Sequence, residues 1–211
     1  MKIVVFGAGF VGGAIARELA ARGHDVTAVS RSGSADMPEP VRSVAGSVGE
    51  PAFVRSVTSG ADVVVSALPA RADGASLAAG VTTLMHAAEA SGARLGVVGG
   101  ASVIPVFEGQ PAQGDTPEFP ERFAALHHAH QETLDTLRLA PADVDWFYLI
   151  PAGEFGAYNP GTRTGRYRKS TVAQVTNAEG RSLLGVDDYA IGFADEVEAP
   201  HTRRAWLAIG Y

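Results

Sequence analysis

The 211-residue chain contains no cysteine, and only Lys2 and Lys169 among its 17 basic residues are lysine. The first absence removes disulfide scaffolds, cysteine zinc sites, iron–sulfur clusters and thiolate nucleophiles, and it suits a reducing compartment, hence a cytoplasmic expectation. The basic residues are dispersed among 23 acids without forming a block. The electrostatic footprint of a nucleic-acid binder is therefore missing. Long apolar runs are missing too: Ala61 to Ala70 is broken by Asp62, Ser66 and Pro69, well short of the roughly 20 residues that cross a bilayer. The N-terminal apolar stretch runs straight into a glycine motif, so it reads as part of a fold and not as a signal peptide. With a formal charge of −6 and 46% hydrophobic side chains, residues 1–211 describe one soluble globular domain with neither nucleic acid nor membrane as partner.

What is present is a run of alternating elements. Ile3-Val4-Val5-Phe6 reads as a strand buried on both faces, as in a parallel sheet. A glycine turn follows, then a helix over Val11 to Arg22 with apolar positions at Val11, Ile15 and Leu19 and a capping Gly23. Strands at 25–29, 41–45, 62–66 and 94–98 alternate with helices at 51–58 and 76–90. This pattern predicts an α/β fold, a doubly wound parallel sheet with right-handed connections. Residues 109–120 carry Pro111, Gly114, Pro117 and Pro120 and read as an irregular loop of the kind that covers a site. A helix over 121–139 and a strand over 144–150 follow. Beyond Pro151 come a Gly/Pro/Asn-rich loop, short alternating segments around Tyr167 and at 172–175, a helix at 187–196 and a strand at 205–209. Residues 151–211 are too few to fold alone and are expected to cap the C-terminal edge of the sheet on the substrate side.

Gly7-Ala8-Gly9-Phe10-Val11-Gly12 is a GxGxxG string between a buried strand and a helix. In that context Gly7 makes the turn, Gly9 lets backbone approach a pyrophosphate, and Gly12 packs helix against strand. The helix start at Phe10 and Val11 supplies free N–H groups and partial positive charge. The second strand then ends in Ser30-Arg31-Ser32 where an NAD site usually has an acid. Arg31 with its neighbouring hydroxyls, Ser32 among them, suits a 2′-phosphate, so NADP(H) is expected in preference to NAD(H).

At this point the sequence resembles the atypical short-chain dehydrogenase/reductases of the NAD(P)H-binding type, in particular the bacterial group called NADH-flavin reductases. The resemblance rests on MKIVVFGAGFVG followed by RGHDV, and on VVVSAL, VVGGAS, DWFYLIPA, PGTRTGRYR and VDDYAIGFADEVEAPHTRR. It implies a Rossmann sheet of order 3-2-1-4-5-6 with further short C-terminal strands and NADP(H) across its C-terminal edge. It also implies that Ala67, Leu68, Gly99, Gly100, Ala101 and Ser102 line the cofactor, with Pro151 and Ala152 near the nicotinamide. Two departures stand out. The acid that family members often place after strand three is replaced by Gly46-Ser47-Val48, where Ser47 can keep one hydrogen bond to the adenine end. The Tyr-x-x-x-Lys pair is absent, since none of Tyr148, Tyr158, Tyr167, Tyr189 and Tyr211 has a lysine four residues on. No acidified phenol is in place to protonate an alkoxide, which disfavours ordinary carbonyl reduction. Hydride transfer to a flavin depends less on such a group.

Candidates for the acceptor side follow from spacing. His127 and His130 share the apolar face of the 121–139 helix with Phe123, Leu134 and Leu137, and either can be a proton donor or a core histidine. Spacing alone sets no third ligand beside them, so no metal site is assigned. Ser102, at the end of the fifth strand, can hydrogen-bond a substrate carbonyl or flavin edge. Phe107, Phe119, Phe155 and Tyr158 are candidates for stacking on a planar substrate or for a lid over the core. Arg163, Arg166, Arg168 and Lys169 form the only local basic cluster, which is either a phosphate contact or a solvated loop. The reading is an NADP(H)-dependent reductase of flavin or another planar, quinone-like acceptor. The alternatives are a non-catalytic NADP(H)-binding sensor and a sugar-nucleotide epimerase or dehydratase.

Overall fold

The computed structural model describes residues 1–33, 37–70 and 76–211. Its elements, in chain order, are β1 (Lys2–Phe6), α1 (Phe10–Ala21), β2 (Asp25–Ser30), β3 (Arg42–Ala45), α2 (Pro51–Thr58), β4 (Val63–Ser66) and α3 (Leu77–Ser91). They continue with β5 (Arg94–Val98), α4 (Ala124–Arg138), β6 (Trp146–Ile150), β7 (Arg168–Ser170), α5 (Val186–Glu198) and β8 (Ala205–Gly210). One eight-stranded sheet has the order β3-β2-β1-β4-β5-β6-β8-β7. Every pairing is parallel except the last, β7 against β8. This is the doubly wound Rossmann arrangement anticipated above.

Because side chains alternate along a strand, each strand feeds two cores. Val4, Phe6, Val64, Leu95, Trp146 and Tyr148 point to the layer of α2, α3 and α4, where Val54, Leu84 and Leu137 meet them. Ile3, Val5, Val65, Phe147, Leu149 and Leu207 point to α1 and α5, against Ile15, Leu19, Tyr189 and Phe193. Both faces are covered, which is why these strands read as unbroken apolar runs. Helix ends follow local chemistry. Ser76 caps α3 by accepting from the Ala79 N–H at 3.0 Å, and Gly92 (φ +68°) closes it. Among the described α-helices, α1 is the one that combines a glycine N-cap, Gly9, with a first turn that holds no acid and no side-chain cap.

The predicted helix at 121–139 begins instead as a 3₁₀ turn, Glu121–Phe123, before α4 proper. The alternating tail segments resolve into a single three-residue strand, β7. Residues 172–175 carry no strand, because Gln174 turns inward and donates through Nε2 to the Ala101 carbonyl (3.0 Å) and Gln113 Oε1 (2.9 Å). The residues after Pro151 divide between two tasks. Apart from the edge strand β7, those up to Gly185 form loops and turns, while α5 and β8 complete the layers of the sheet. Among the described residues no helix is long and apolar enough to cross a membrane.

Candidate active site

The C-terminal ends of β1, β2, β4, β5 and β6 open into one cleft of about 890 Å³. This is the crevice where open α/β sheets bind ligands. Its floor is the glycine turn. Gly7 has φ +96°, and a Cβ there would lie 2.3 Å from the Ala67 carbonyl; a Cβ on Gly12 would lie 1.7 Å from the Gly7 carbonyl. Both glycines are demanded by the chain itself, which must pass this close to β4. Gly9 is different. Its φ of −83° is open to any residue, and a Cβ on it would meet nothing within 4 Å. The fold gives no reason for a glycine there, whereas a ligand lying on the turn does. The N–H groups opening α1 have no helical acceptors and face this space.

The cleft brings together all fifteen residues that the sequence nominated for the cofactor: Gly7, Gly9, Phe10, Val11, Gly12, Arg31, Ser32, Ser47, Val48, Ala67, Leu68, Gly99, Gly100, Pro151 and Ala152. Ser30, the other hydroxyl beside Arg31, lines it as well. Ser30 Oγ is buried and has no hydrogen-bond partner among the described residues. Ser47 Oγ accepts from the Gly49 N–H at 3.1 Å while lining the wall. The far end of the cleft is apolar: Phe119, Phe123 and Leu126 stand on one side, Phe155 and Tyr158 on the other. Phe155 is anchored by Tyr189 with ring centroids 5.0 Å apart, and Tyr158 is 77% exposed at the mouth. Phe107 is not in this cleft. It lines a separate recess of about 290 Å³ with Gln110, Pro111 and Glu118, because the chain between Ile104 and Gln113 turns it outward. The basic cluster is also elsewhere: Arg163 pairs with Glu18 at 2.7 Å, and Arg168 donates to the carbonyls of Thr176 and Tyr211.

The two helical histidines face inward but toward different partners. His130 packs over Gly100, and its Nδ1 lies 2.9 Å from the Tyr148 hydroxyl. Burial, with the neighbouring His127 adding to it, lowers the His130 imidazole from 6.5 to about 4. It is neutral at physiological pH, which removes it as an imidazolium donor. Tyr148 is fully buried, its hydroxyl accepts from the Gly100 N–H at 3.2 Å, and burial pushes the phenol upward. His127 is 3% exposed and lies behind the cleft wall. Its Nδ1 is 3.2 Å from Ser102 Oγ, and its Nε2 is 3.3 Å from Asp115 Oδ1. Ser102 and His130 line the cleft directly; His127 reaches it only through Ser102. Asp115 was not legible in the sequence, since it sits in the breaker-rich loop, where a short 3₁₀ turn (Gln113–Asp115) presents it.

Sheet order, crevice and open glycine turn define a dinucleotide-binding protein of Rossmann type. The chain belongs to the NAD(P)H-binding family, which it matches over residues 7–179. It is 34% identical over 204 residues to YwnB of Bacillus subtilis, a protein itself uncharacterised, covering 95% of this chain and 93% of that one. A Streptococcus pneumoniae structure provisionally named an NADH-flavin reductase superposes with a TM-score of 0.87 at 30% identity, over 100% of this chain and 99% of that one. A Bacteroides thetaiotaomicron structure provisionally named an epimerase gives a TM-score of 0.87 at 32% identity, covering 100% and 96%.

Proposed function

We propose that the protein is an NADPH-dependent reductase of flavin or another planar, quinone-like acceptor. The observation that carries this reading is the open glycine turn at Gly9 leading into a cleft whose far end is walled by aromatic and aliphatic side chains. The first turn of α1 would hold the pyrophosphate. Arg31 and Ser32, with the unpartnered Ser30 hydroxyl, would take the 2′-phosphate, and Ser47 and Val48 would border the adenine. Gly99, Gly100, Pro151 and Ala152 would flank the nicotinamide, which when bound supplies the hydride. Phe119, Phe123, Leu126, Phe155 and Tyr158 would orient a flat acceptor and keep water from it.

A non-catalytic NADP(H) sensor is the second reading, favoured by the sealed Tyr148, which cannot act as an exposed acidic phenol. An epimerase is less favoured. It would need a base at the oxidised carbon, and no Tyr-x-x-x-Lys pair provides one. The test is NADPH and NADH oxidation with a panel of flavins and quinones. Acceptor-dependent turnover that prefers NADPH is expected; tight binding without oxidation would leave the sensor.

A further inference from the structure

Asp115 in the loop before α4, His127 on α4 and Ser102 after β5 stand in a line that ends at the cleft wall. We infer that Ser102 delivers the proton to the atom of the acceptor that becomes negative on reduction, with His127 as the source of that proton and Asp115 as the residue that holds His127 in position. This inference rests on the reductase reading.

The geometry has three parts. Ser102 follows Gly99-Gly100-Ala101 at the end of β5 and lines the cleft at the apolar end, where the acceptor would sit. His127 touches Ser102 with one ring nitrogen and Asp115 with the other. The Asp115 side chain is 62% exposed and His127 only 3%, so the line runs from solvent through a buried imidazole to a hydroxyl in the cleft. His127 is fixed from other directions too. Phe119 meets it edge-on at 5.7 Å, and Gly114 passes so close that a Cβ there would lie 2.0 Å from Nδ1. The other titratable rings facing it are His128, at 5.5 Å between centroids, and His130, which turns away to Tyr148.

The balance of the step is simple. The acceptor gains two electrons and one hydrogen from the reduced nicotinamide, which is oxidised, and the electron pair arrives on an acceptor oxygen or nitrogen. The Ser102 O–H bond breaks as that atom takes the proton, and a new O–H bond forms with the proton from His127 Nδ1. His127 is left neutral, with its remaining N–H donated to Asp115, and regains a proton from water between turnovers.

The experiment compares two acceptors in Ser102→Ala, His127→Gln and Asp115→Asn. A neutral benzoquinone needs a proton as well as a hydride, whereas a cationic phenothiazine dye becomes neutral on taking the hydride alone. The ratio of quinone to dye reduction should fall roughly 10² in Ser102→Ala and His127→Gln, and less in Asp115→Asn. The Ser102→Ala/His127→Gln double variant should fall no further, because both act in one step. In the protein without cofactor, ¹⁵N-histidine NMR should show the His127 Nδ1 signal moving in Ser102→Ala and the Nε2 signal in Asp115→Asn. Equal losses with both acceptors, additive losses in the double variant, or an unresponsive His127 ring overturns the relay and leaves the reductase reading standing. If the wild-type protein reduces neither acceptor, the reductase reading fails and the proton-delivery assignment goes with it.

Discussion

Gly9 and Gly12 stand three residues apart on one turn and answer to different demands. A side chain at Gly12 collides with the Gly7 carbonyl, so Gly12→Ala should destabilise the fold by about 3 kcal/mol, the upper end of ordinary overpacking. A side chain at Gly9 meets only open space. Gly9→Val should therefore cost about 1 kcal/mol at most, through the poorer helix cap, while removing binding of either dinucleotide. Thermal denaturation and cofactor fluorescence together check the contrast; a folded Gly9→Val protein that still binds NADPH would remove the ligand explanation for this glycine. At the end of β2, Arg31→Ala should weaken NADPH by about 1.5 to 3 kcal/mol and NADH hardly at all, the range for bonds to charged groups. Equal losses in titration calorimetry would count against the 2′-phosphate contact. His130 gives a pH signature of stability. Its folded-state pKa lies below its ordinary value, at about 4 against 6.5, so the unfolded chain binds a proton there that the folded chain refuses. Stability is complete above the ordinary value and falls as pH drops toward 4, by up to about 3 kcal/mol. Denaturant midpoints at neutral pH and near pH 4 should show His130→Gln losing part of that slope.

At the scale of elements, the cleft depends on how the C-terminal residues are tied down. Asp188 of α5 is fully buried. Its carboxylate accepts from the N–H groups of Thr164 and Gly165, from the Thr164 hydroxyl at 2.7 Å and from the Tyr211 hydroxyl at 2.5 Å. Burial pushes this acid up, but the donors from Tyr211 and Thr164 prevail and hold it below its ordinary range. Asp188→Ala strands those donors and should cost at least about 2 kcal/mol, with faster amide exchange at Thr164 and Gly165. Unchanged exchange would show that the loop is held by other contacts. Helices α1 and α5 are clamped separately by Arg22, which reaches Glu18, Asp195 and Glu198 within 2.9 Å. Apart from the Arg22–Glu18 pair, four positions apart on one helix, none of these ties was legible in the sequence, for they join residues 23 to 176 positions apart. The strands and helices themselves were legible, because burial on both faces leaves apolar runs that a solvated strand would interrupt. The shared inward face of His127 and His130 was legible as well. Their separate chemistry was not: it depends on Asp115 and Tyr148, which spacing along one helix does not predict.

A mostly parallel sheet flanked by helices brings the glycine turn, the end of β2, the Gly99–Ser102 corner and the post-β6 loop to one edge. Composition and motif order anticipated that convergence, since a GxGxxG turn after the first strand of a doubly wound sheet has one place to put a dinucleotide. The apolar lining of the cleft was read less completely. Phe107 faces its own recess, while Phe123 and Leu126, on exposed turns of an amphipathic pattern, complete the wall. An aromatic on a loop signals burial or contact without saying against what.

The proposed reductase would pass a hydride at this edge from bound NADPH to a flat acceptor. The measurement that tests this transfer directly is the single-turnover oxidation of NADPH deuterated at one or the other C4 position, mixed with protein and a flavin or quinone. A reductase built this way should show acceptor-dependent oxidation with a primary isotope effect from one C4 position only, because the cleft would present one face of the nicotinamide to the acceptor. Oxidation that is no faster than without protein, or bound NADPH that stays reduced before every acceptor, would rule the reductase out.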